Sequence, residues 1–251
     1  MKTLKYLLIA ALSIFVMSCS NDDDGSSSSE QLYFPKVITT TYPVESTKTV
    51  TLDYDQNNRI IQFVITQGSN TDIFDISYGA SGLINTIELA EGTSVTTHSF
   101  EYANDHVSGV TISYDGVPSD VYDITYDAPS NTYSVLDGSN NILFEHDSSG
   151  NIEEIGTDFG NINFNYNSNN GVFKGIADNF PLFATVLLSS NNNIYSTLLF
   201  ASKEITSISV IGNGVNINTS RNAQNEIESM EFVETSSSSV QFTSTITYQL
   251  R

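Results

Sequence analysis

The sequence has few of the residues on which disulfide-linked, nucleic-acid-binding and metal-dependent proteins rely. Its 251 residues include one cysteine, three histidines, no tryptophan, and nine basic residues against 29 acidic ones. A single cysteine excludes an intramolecular disulfide. The net charge of −20 at pH 7 repels phosphate backbones, so we expect no nucleic-acid partner.

Catalytic and cofactor motifs are also missing. The chain has no HExxH zinc motif, GxSxG serine elbow, P-loop or dinucleotide fingerprint. Residues 53–57 copy the start of a calcium loop, D-x-D-x-N, but Asn58 replaces its glycine and Val64 its final glutamate. His146 takes an aromatic position of the repeat described below, which predicts a structural role. We therefore expect no cofactor, no metal and no catalytic residue.

Paired carboxylates keep one enzymatic alternative open, because a glycoside hydrolase needs only two acids. The candidates are Glu153–Glu154, Asp120–Asp123 and Glu226–Glu228. Adjacent residues of a strand point to opposite faces, which argues against Glu153 with Glu154. Glu226 and Glu228 share a face if they lie on a strand, and the simplest interpretation is a solvated face.

The N-terminus has the pattern of an exported lipoprotein. Lys2 and Lys5 precede an apolar run, Leu7–Met17, which is too short to span a bilayer and suits a signal peptide. The only cysteine, Cys19, follows directly after Val-Met-Ser. We predict a signal peptide over residues 1–18 and, over residues 19–31, an acidic, serine-rich tether without fixed structure.

The rest of the chain, residues 32–251, reads as one all-β domain of repeated hairpins. Strands of alternating polar and apolar residues end in an aromatic residue, which a polar turn and aliphatic residues follow. The aromatic positions Tyr54, Tyr78, Tyr102 and Tyr126 are 24 residues apart, and His146 and Tyr166 follow at steps of 20. Because a lone hairpin cannot bury its apolar face, the hairpins must stack side by side.

One segment departs from this alternation. Apolar residues recur at helical spacing from residue 180, with Pro181 in the first turn: Phe180, Phe183, Ala184, Leu187 and Leu188. We predict a short helical insertion near residues 180–203 that covers one end or one face of the sheet; residues 193–203 fit a second helical turn or a strand. Asn213–Gly214 predicts a tight hairpin turn.

These motifs resemble two known groups of proteins. Val16–Cys19 resembles the bacterial lipobox, whose cysteine is acylated, and Ser20–Gly25 is similar to the signal that exports Bacteroidetes lipoproteins to the cell surface. The hairpin unit resembles the YD repeat of Rhs-type proteins, although Gly79, Ala103 and Asn167 replace the aspartate. The layout is similar to Bacteroidetes surface lipoproteins that carry domains of unknown function.

The resemblance implies a fold and a location, but no activity. The expected fold is a long curved antiparallel meander, or a partial barrel around the helix. The expected location is the bacterial outer membrane, with a lipid anchor on Cys19 and the domain facing the cell exterior.

For the function we expect a surface-anchored, non-catalytic binding or accessory protein whose partner is a glycan, an envelope protein or an uptake complex. The alternatives are a glycoside hydrolase and a purely structural repeat protein. Tyrosine suits binding surfaces. Tyr54, Tyr78, Tyr102 and Tyr126 are therefore candidate ligand contacts, although their phase with the aliphatic residues favours a role in the core. The sequence does not fix the oligomeric state.

Overall fold

A computed structural model describes residues 32–137, 140–157, 160–175, 180–188, 201–210 and 213–251. The predicted signal peptide, Cys19 and the tether lie outside the described residues, as do residues 189–200 and the side chains of Phe183, Leu187 and Leu188. The compact unit described below is Tyr33–Arg251.

The described part of the chain forms sixteen strands and one helix. The strands are β1 (Tyr33–Thr41), β2 (Lys48–Tyr54), β3 (Ile60–Gln67), β4 (Asn70–Tyr78), β5 (Ile84–Glu91), β6 (Ser94–Ala103), β7 (His106–Tyr114), β8 (Val117–Asp127), β9 (Thr132–Asp137), β10 (Asn140–His146), β11 (Ile152–Thr157), β12 (Gly160–Asn170), β13 (Lys203–Val210), β14 (Asn213–Arg221), β15 (Ile227–Glu234) and β16 (Val240–Leu250). The helix α1 (Phe180–Leu188) lies between β12 and β13.

The strands form a closed barrel. Each strand pairs antiparallel with its neighbours in sequence, and β1 pairs with both β2 and β16. The predicted all-β meander of hairpins is therefore confirmed, but a partial barrel is wrong. The reason is that β1 pairs with β2 on one side and with β16 on the other. It therefore supplies hydrogen-bond partners to the backbone of two strands that would otherwise be sheet edges.

The two ends of the barrel have different turns. At the end we call the tyrosine rim, polar turns such as residues 55–59 and 147–151 follow the even-numbered strands. At the opposite end, the hairpin rim, tight turns place Gly68, Gly92 and Gly116 at φ of 62°, 63° and 80°. Such positive φ values are what two-residue hairpins require. The predicted turn at Asn213–Gly214 is wrong, because Asn213 pairs with Val210 and Gly214 with Ser209, so both residues lie in the ladder of β13 and β14.

The barrel is apolar inside and polar outside. The inward residues of neighbouring strands, such as Leu52, Phe63 and Phe74, are at most 1% exposed. The alternate residues, such as Asp75 and Glu88, face solvent. This follows directly from the period of two in the sequence, since successive strand residues point to opposite faces.

Helix α1 fills part of the interior. Phe180 stacks on Tyr133 of β9 with ring centroids 4.1 Å apart and meets Phe144 of β10 edge-on at 5.4 Å, while the helix also contacts β5. Phe180, Leu182, Ala184 and Thr185 are all buried, and a helix without a polar face belongs in a core. The predicted helix is confirmed over Phe180–Leu188, where it packs against the inner face of the barrel wall.

Candidate interaction surface

The tyrosines of the repeat join neighbouring units at the tyrosine rim. The Tyr78 hydroxyl donates to the backbone carbonyl of Ile60 at 2.7 Å, and Tyr102 donates to Ile84 at 2.7 Å. The same bond recurs along the rim from Tyr54 to Pro35, from Tyr166 to Ile152 and from Tyr248 to Ile227. Each hydroxyl therefore connects the end of the second strand of a hairpin to the start of the first strand of that hairpin.

A β-bulge explains this bond. The register shifts at Asp53/Tyr54, opposite the acceptor Ile60, and at Ser77/Tyr78, opposite the acceptor Ile84, where the strand that follows the turn has one extra residue. The bulge makes Ile84 and Ile87 both buried although they are three residues apart. A bulge interrupts the ladder locally, so a side chain can take up a backbone group there. The aliphatic-x-x-aliphatic start of each unit is the sequence signal of this bulge.

The four predicted ligand contacts have structural contacts of this kind. Tyr54, Tyr78 and Tyr102 bond to backbone carbonyls, and Tyr126 donates to Asn131 Oδ1 at 2.7 Å while its ring stacks on His106. All four pack against the core cluster. Burial raises the pKa of Tyr78 to about 12 and raises that of Tyr54 as well. A ligand contact through these tyrosines stays a prediction, and their bonds favour the core role.

We expect Tyr78→Phe to lower the free energy of unfolding by about 1 kcal/mol, because the carbonyl of Ile60 loses its donor. The matched control is Tyr114→Phe, whose ring is 49% exposed and for which we expect a change below about 0.5 kcal/mol. Urea unfolding of both variants measures the difference. Equal effects of the two substitutions would contradict the role of the rim bond.

Two histidines face the interior. His98 is fully buried on β6, and neither ring nitrogen has a hydrogen-bond partner among the described residues. His146 Nδ1–H donates to the carbonyl of Phe144 at 3.1 Å, while its Nε2 has no hydrogen-bond partner among the described residues. Burial lowers the pKa of each to about 4, offset in part by nearby backbone groups. Both are neutral at pH 7, and the structural role predicted for His146 agrees with its buried ring contacts.

These histidines predict acid sensitivity. In the unfolded chain they bind protons near pH 6.5, but in the folded protein only near pH 4, so stability is fully present above pH 6.5 and is lost as the pH falls to 4. The loss is about 3 kcal/mol for each histidine. We expect His98→Gln to remove about half of this pH dependence, measured as the unfolding free energy between pH 7 and 4. An unchanged slope would contradict the assignment.

The acid pairs predicted from the sequence are not brought together as pairs. Asp120 is partly buried on the inner side of β8, whereas Asp123 faces solvent. A bulge before Ile155 leaves Glu153 exposed and Glu154 bonded to Asn161, so the expected alternation fails there. Glu226 is buried and paired with Lys174 at 2.6 Å, while Glu228 is exposed, so the prediction of a shared solvated face is wrong.

A different acid pair lies inside the hairpin rim. Asp72 of β4 stands directly opposite Glu91 of β5, both in phase with inward core residues. Burial raises the pKa of both carboxyls, and Asp72 raises that of Glu91 further. Lys48, 6% exposed, lies near Asp72, and burial lowers its pKa. The sequence analysis did not identify this acid pair. The available signal was that each acid lies near a strand end, in phase with the core residues of its strand.

The calcium-like stretch at residues 53–57 caps a turn. Asp55 Oδ1 accepts hydrogen bonds from the amides of Asn57 and Arg59 at 2.9 Å, and its other oxygen pairs with the Arg59 guanidinium. Asp147 and Asn222 cap the matching turns of other units in the same way. In the described ranges no cluster of three or more His, Cys, Asp or Glu could hold a metal ion.

Charge is distributed unevenly around the barrel. No lysine or arginine occurs between Arg59 and Lys174. Every Asp, Glu, Lys or Arg side chain on strands β3 to β12 is therefore acidic. Asp75 and Glu88 face each other on the outer surface, and Glu101 and Asp123 flank Gly109 in a second row. We call this outer surface of β3 to β12 the acidic wall. Its uncompensated charge attracts cationic partners and repels anionic ones.

Most basic residues lie on the opposite side and are already paired. Ion pairs join Lys36 to Asp53, Lys174 to Glu226 and Arg221 to Glu204. Two further pairs border the acidic wall at the tyrosine rim, Arg59 with Asp55 at 2.6 Å and Lys203 with Asp147 at 2.7 Å. The strands of the acidic wall contain no lysine or arginine, so their acidic residues have little compensation from within the wall.

Comparison with known proteins gives a fold likeness at low identity. The chain is similar to crystal structures of two porin-like proteins, from Bacteroides vulgatus (11% identity, TM-score 0.42, 87% of this chain and 99% of that chain) and from Bacteroides uniformis (15%, 0.38, 87% and 98%). No protein-family model matches the sequence, and no curated protein matches it. In the described residues, no helix has the length and apolar character to cross a membrane.

Proposed function

We propose that the protein is a lipid-anchored, non-catalytic binding protein of the bacterial envelope, which displays its barrel on the outer side of the outer membrane. The observation that carries this proposal is the polarity of the barrel. A barrel that crosses a membrane has an apolar outer band and a polar lumen. Here the inner face is apolar and the outer face bears Asp, Glu, Asn, Ser and Thr.

The polarity also bears on how the protein is attached. A wall of acidic residues is costly in hydrocarbon, so the barrel itself is a poor membrane anchor. The lipobox-like Val16–Cys19 then supplies the attachment, because several acyl chains on one residue hold a protein stably at a bilayer. The acidic residues after Cys19, which resemble a surface-export signal, support exposure at the cell exterior.

The binding role rests on the acidic wall and on a filled interior. Helix α1 and the aromatic core occupy the space that a pore would need, so transport through the barrel has no support. The surface, not the lumen, is then the place for a partner, and its chemistry favours cationic groups. Among the partners expected from the sequence, a basic envelope protein fits this surface better than a neutral glycan.

A melting experiment with the full chain tests the binding role. We expect neutral and acidic oligosaccharides to leave the midpoint unchanged and a basic envelope protein to raise it, since a ligand of the native state stabilises by mass action. Cross-linking in intact cells supplies candidates for that protein. A midpoint raised by an acidic polysaccharide, or no cross-linked partner at all, would contradict the proposal.

A hydrolase is the second candidate, and one observation favours it. Asp72 and Glu91 face each other across β4 and β5 on the concave side, and both have a raised pKa, as a general acid requires. Product analysis on polysaccharides decides this: sugar released by the wild type and lost in Asp72→Asn would support hydrolysis. No product from either would leave the binding role as the function.

A further inference from the structure

The hydrogen-bond ladder of the barrel opens at one place on the hairpin rim. Strand β8 pairs with β7 over its first part, from Val117 to Asp123. It pairs with β9 only from Ile124 to Asp127. Among the described residues, 117–121 therefore have a ladder partner on the β7 side alone. We call this segment the open edge.

The open edge projects past its neighbours. Strand β8 has 11 residues but β9 has six and β10 seven, so the β9–β10 hairpin stops below the tip of the β7–β8 hairpin. Five strand residues span about 17 Å at the usual rise of about 3.3 Å per residue. We call the side of residues 117–121 that faces away from β7 the notch.

Exposed apolar side chains border the notch. Val121 is 71% exposed and Val117 66%, while Leu136 on β9 is 53% and Tyr114 on β7 is 49% exposed. These belong to the most exposed large apolar residues of the described barrel. A strand that paired with the open edge would cover apolar groups on both faces of the sheet, in addition to satisfying its backbone.

Charge decides which strand fits. Asp120 lies within the open edge on the inner side of β8, and Asp123 lies two residues beyond the edge on the outer side; β8 has no lysine or arginine. Two copies of this edge would bring these aspartates together, and the repulsion between like charges disfavours that pairing. A second copy is therefore disfavoured, and a basic strand is favoured.

We propose that the open edge of β8 is a docking site for an extended, basic segment of a partner protein, which adds to the barrel wall as a strand beside residues 117–121. The site deepens the proposed binding role and rests on it. The partner's backbone supplies affinity through ladder hydrogen bonds, its alternate apolar residues cover Val121 and Leu136 on the outer face, and its basic residues approach Asp120 on the inner face.

The test uses the full chain in detergent and a short synthetic peptide in which valine and lysine alternate. We expect the peptide to bind and to slow hydrogen exchange of the amides in residues 117–121, with little change elsewhere at the hairpin rim. A peptide that alternates valine and glutamate, and a valine–lysine peptide N-methylated at alternate residues, should both fail to protect these amides. Equal protection by the methylated peptide would overturn strand addition.

Substitutions locate the site. Val121→Ser should weaken binding of the valine–lysine peptide about tenfold, whereas Val240→Ser, at a valine 41% exposed on β16, should change it less than about twofold. Equal weakening by both would overturn the site. Sedimentation that shows dimers paired through β8 would overturn it in favour of a second copy. Neither readout depends on lipidation, so failure of the anchor and failure of this site are distinguishable.

Discussion

Leu182→Ala should lower the free energy of unfolding by about 2–5 kcal/mol, the range for removing a fully buried leucine. Leu182 is 1% exposed on α1, between Phe180 and Ala184, which are also buried. The loss is large because the helix is enclosed by the barrel wall on several sides, so the structure has little freedom to collapse around the cavity. Urea unfolding monitored by circular dichroism measures it.

The control for this prediction is Leu136→Ala. Leu136 is the same residue type but 53% exposed on β9, and we expect its truncation to cost less than about 0.5 kcal/mol. A helix that only covered the barrel from outside would leave Leu182 partly solvated, and the two substitutions would then have similar effects. That outcome would contradict the placement of α1 in the interior.

Arg221→Ala should also be strongly destabilising, by about 2–4 kcal/mol. Arg221 Nη2 lies 2.7 Å from Glu204 Oε2, and the Glu204 side chain is 7% exposed. Without the guanidinium, Glu204 keeps only neutral donors, from Thr219 and from Asn169 at 2.8 Å. Because an uncompensated buried carboxylate is costly, most of the loss comes from Glu204 rather than from the missing attraction itself.

The pH dependence of this variant gives a second test. Burial alone would raise the pKa of Glu204, but hydrogen bonds from Thr219, Arg221 and Asn169 lower it from 4.5 to about 2. The stability that this carboxylate contributes is present above pH 4.5 and is lost as the pH falls to 2. The difference between wild type and Arg221→Ala should therefore narrow as the pH is lowered from 6 to 3.

The exposed pair of Lys36 and Asp53 is the matched control. Their side chains are 35% and 52% exposed, and a pair in that environment contributes about 0–1 kcal/mol. Lys36→Ala should thus change stability little at any pH. Losses of equal size from Lys36→Ala and Arg221→Ala would contradict the buried role of Glu204.

Alternation was enough to predict the strands. In β16 the apolar or small inward residues Phe242, Ser244 and Ile246 are buried and their neighbours are not, as the period of two requires. The 24-residue spacing of the tyrosines predicted equivalent positions in stacked hairpins, and the structure gives Tyr78 and Tyr102 equivalent bonds. These properties are local, so sequence patterns contain them.

Closure of the barrel and the position of α1 were not predictable in the same way. Closure depends on the pairing of Tyr33–Thr41 with Val240–Leu250, which are far apart in sequence and have no shared motif. The stripe from Phe180 predicted a helix, yet Leu182 and Thr185 lie off that stripe and are also buried. A helix needs no polar side when a barrel wall surrounds it, and the helix sequence alone does not show that wall.

The candidate sites were likewise predictable only in their local features and not in their long-range contacts. The tyrosines were identified from their spacing, but their acceptors, such as the carbonyl of Ile60, depend on bulges that shift the register by one residue. The open edge of β8 arises from the unequal lengths of β8 and β9, which hydrophobic patterns do not fix to within a residue or two. Asp72 and Glu91 meet only through cross-strand register.

The most direct test of the account is the fractionation of cells that express wild type or Cys19→Ser. In the proposed arrangement the lipid on Cys19 holds the protein at the membrane, and the barrel, whose outer face is polar and acidic, does not. We predict that wild type stays in the membrane pellet after a high-pH wash, while Cys19→Ser moves to the soluble fraction with its barrel folded. Cys19→Ser that remains in the washed membranes would contradict the account, because the wall itself would then be embedded in lipid.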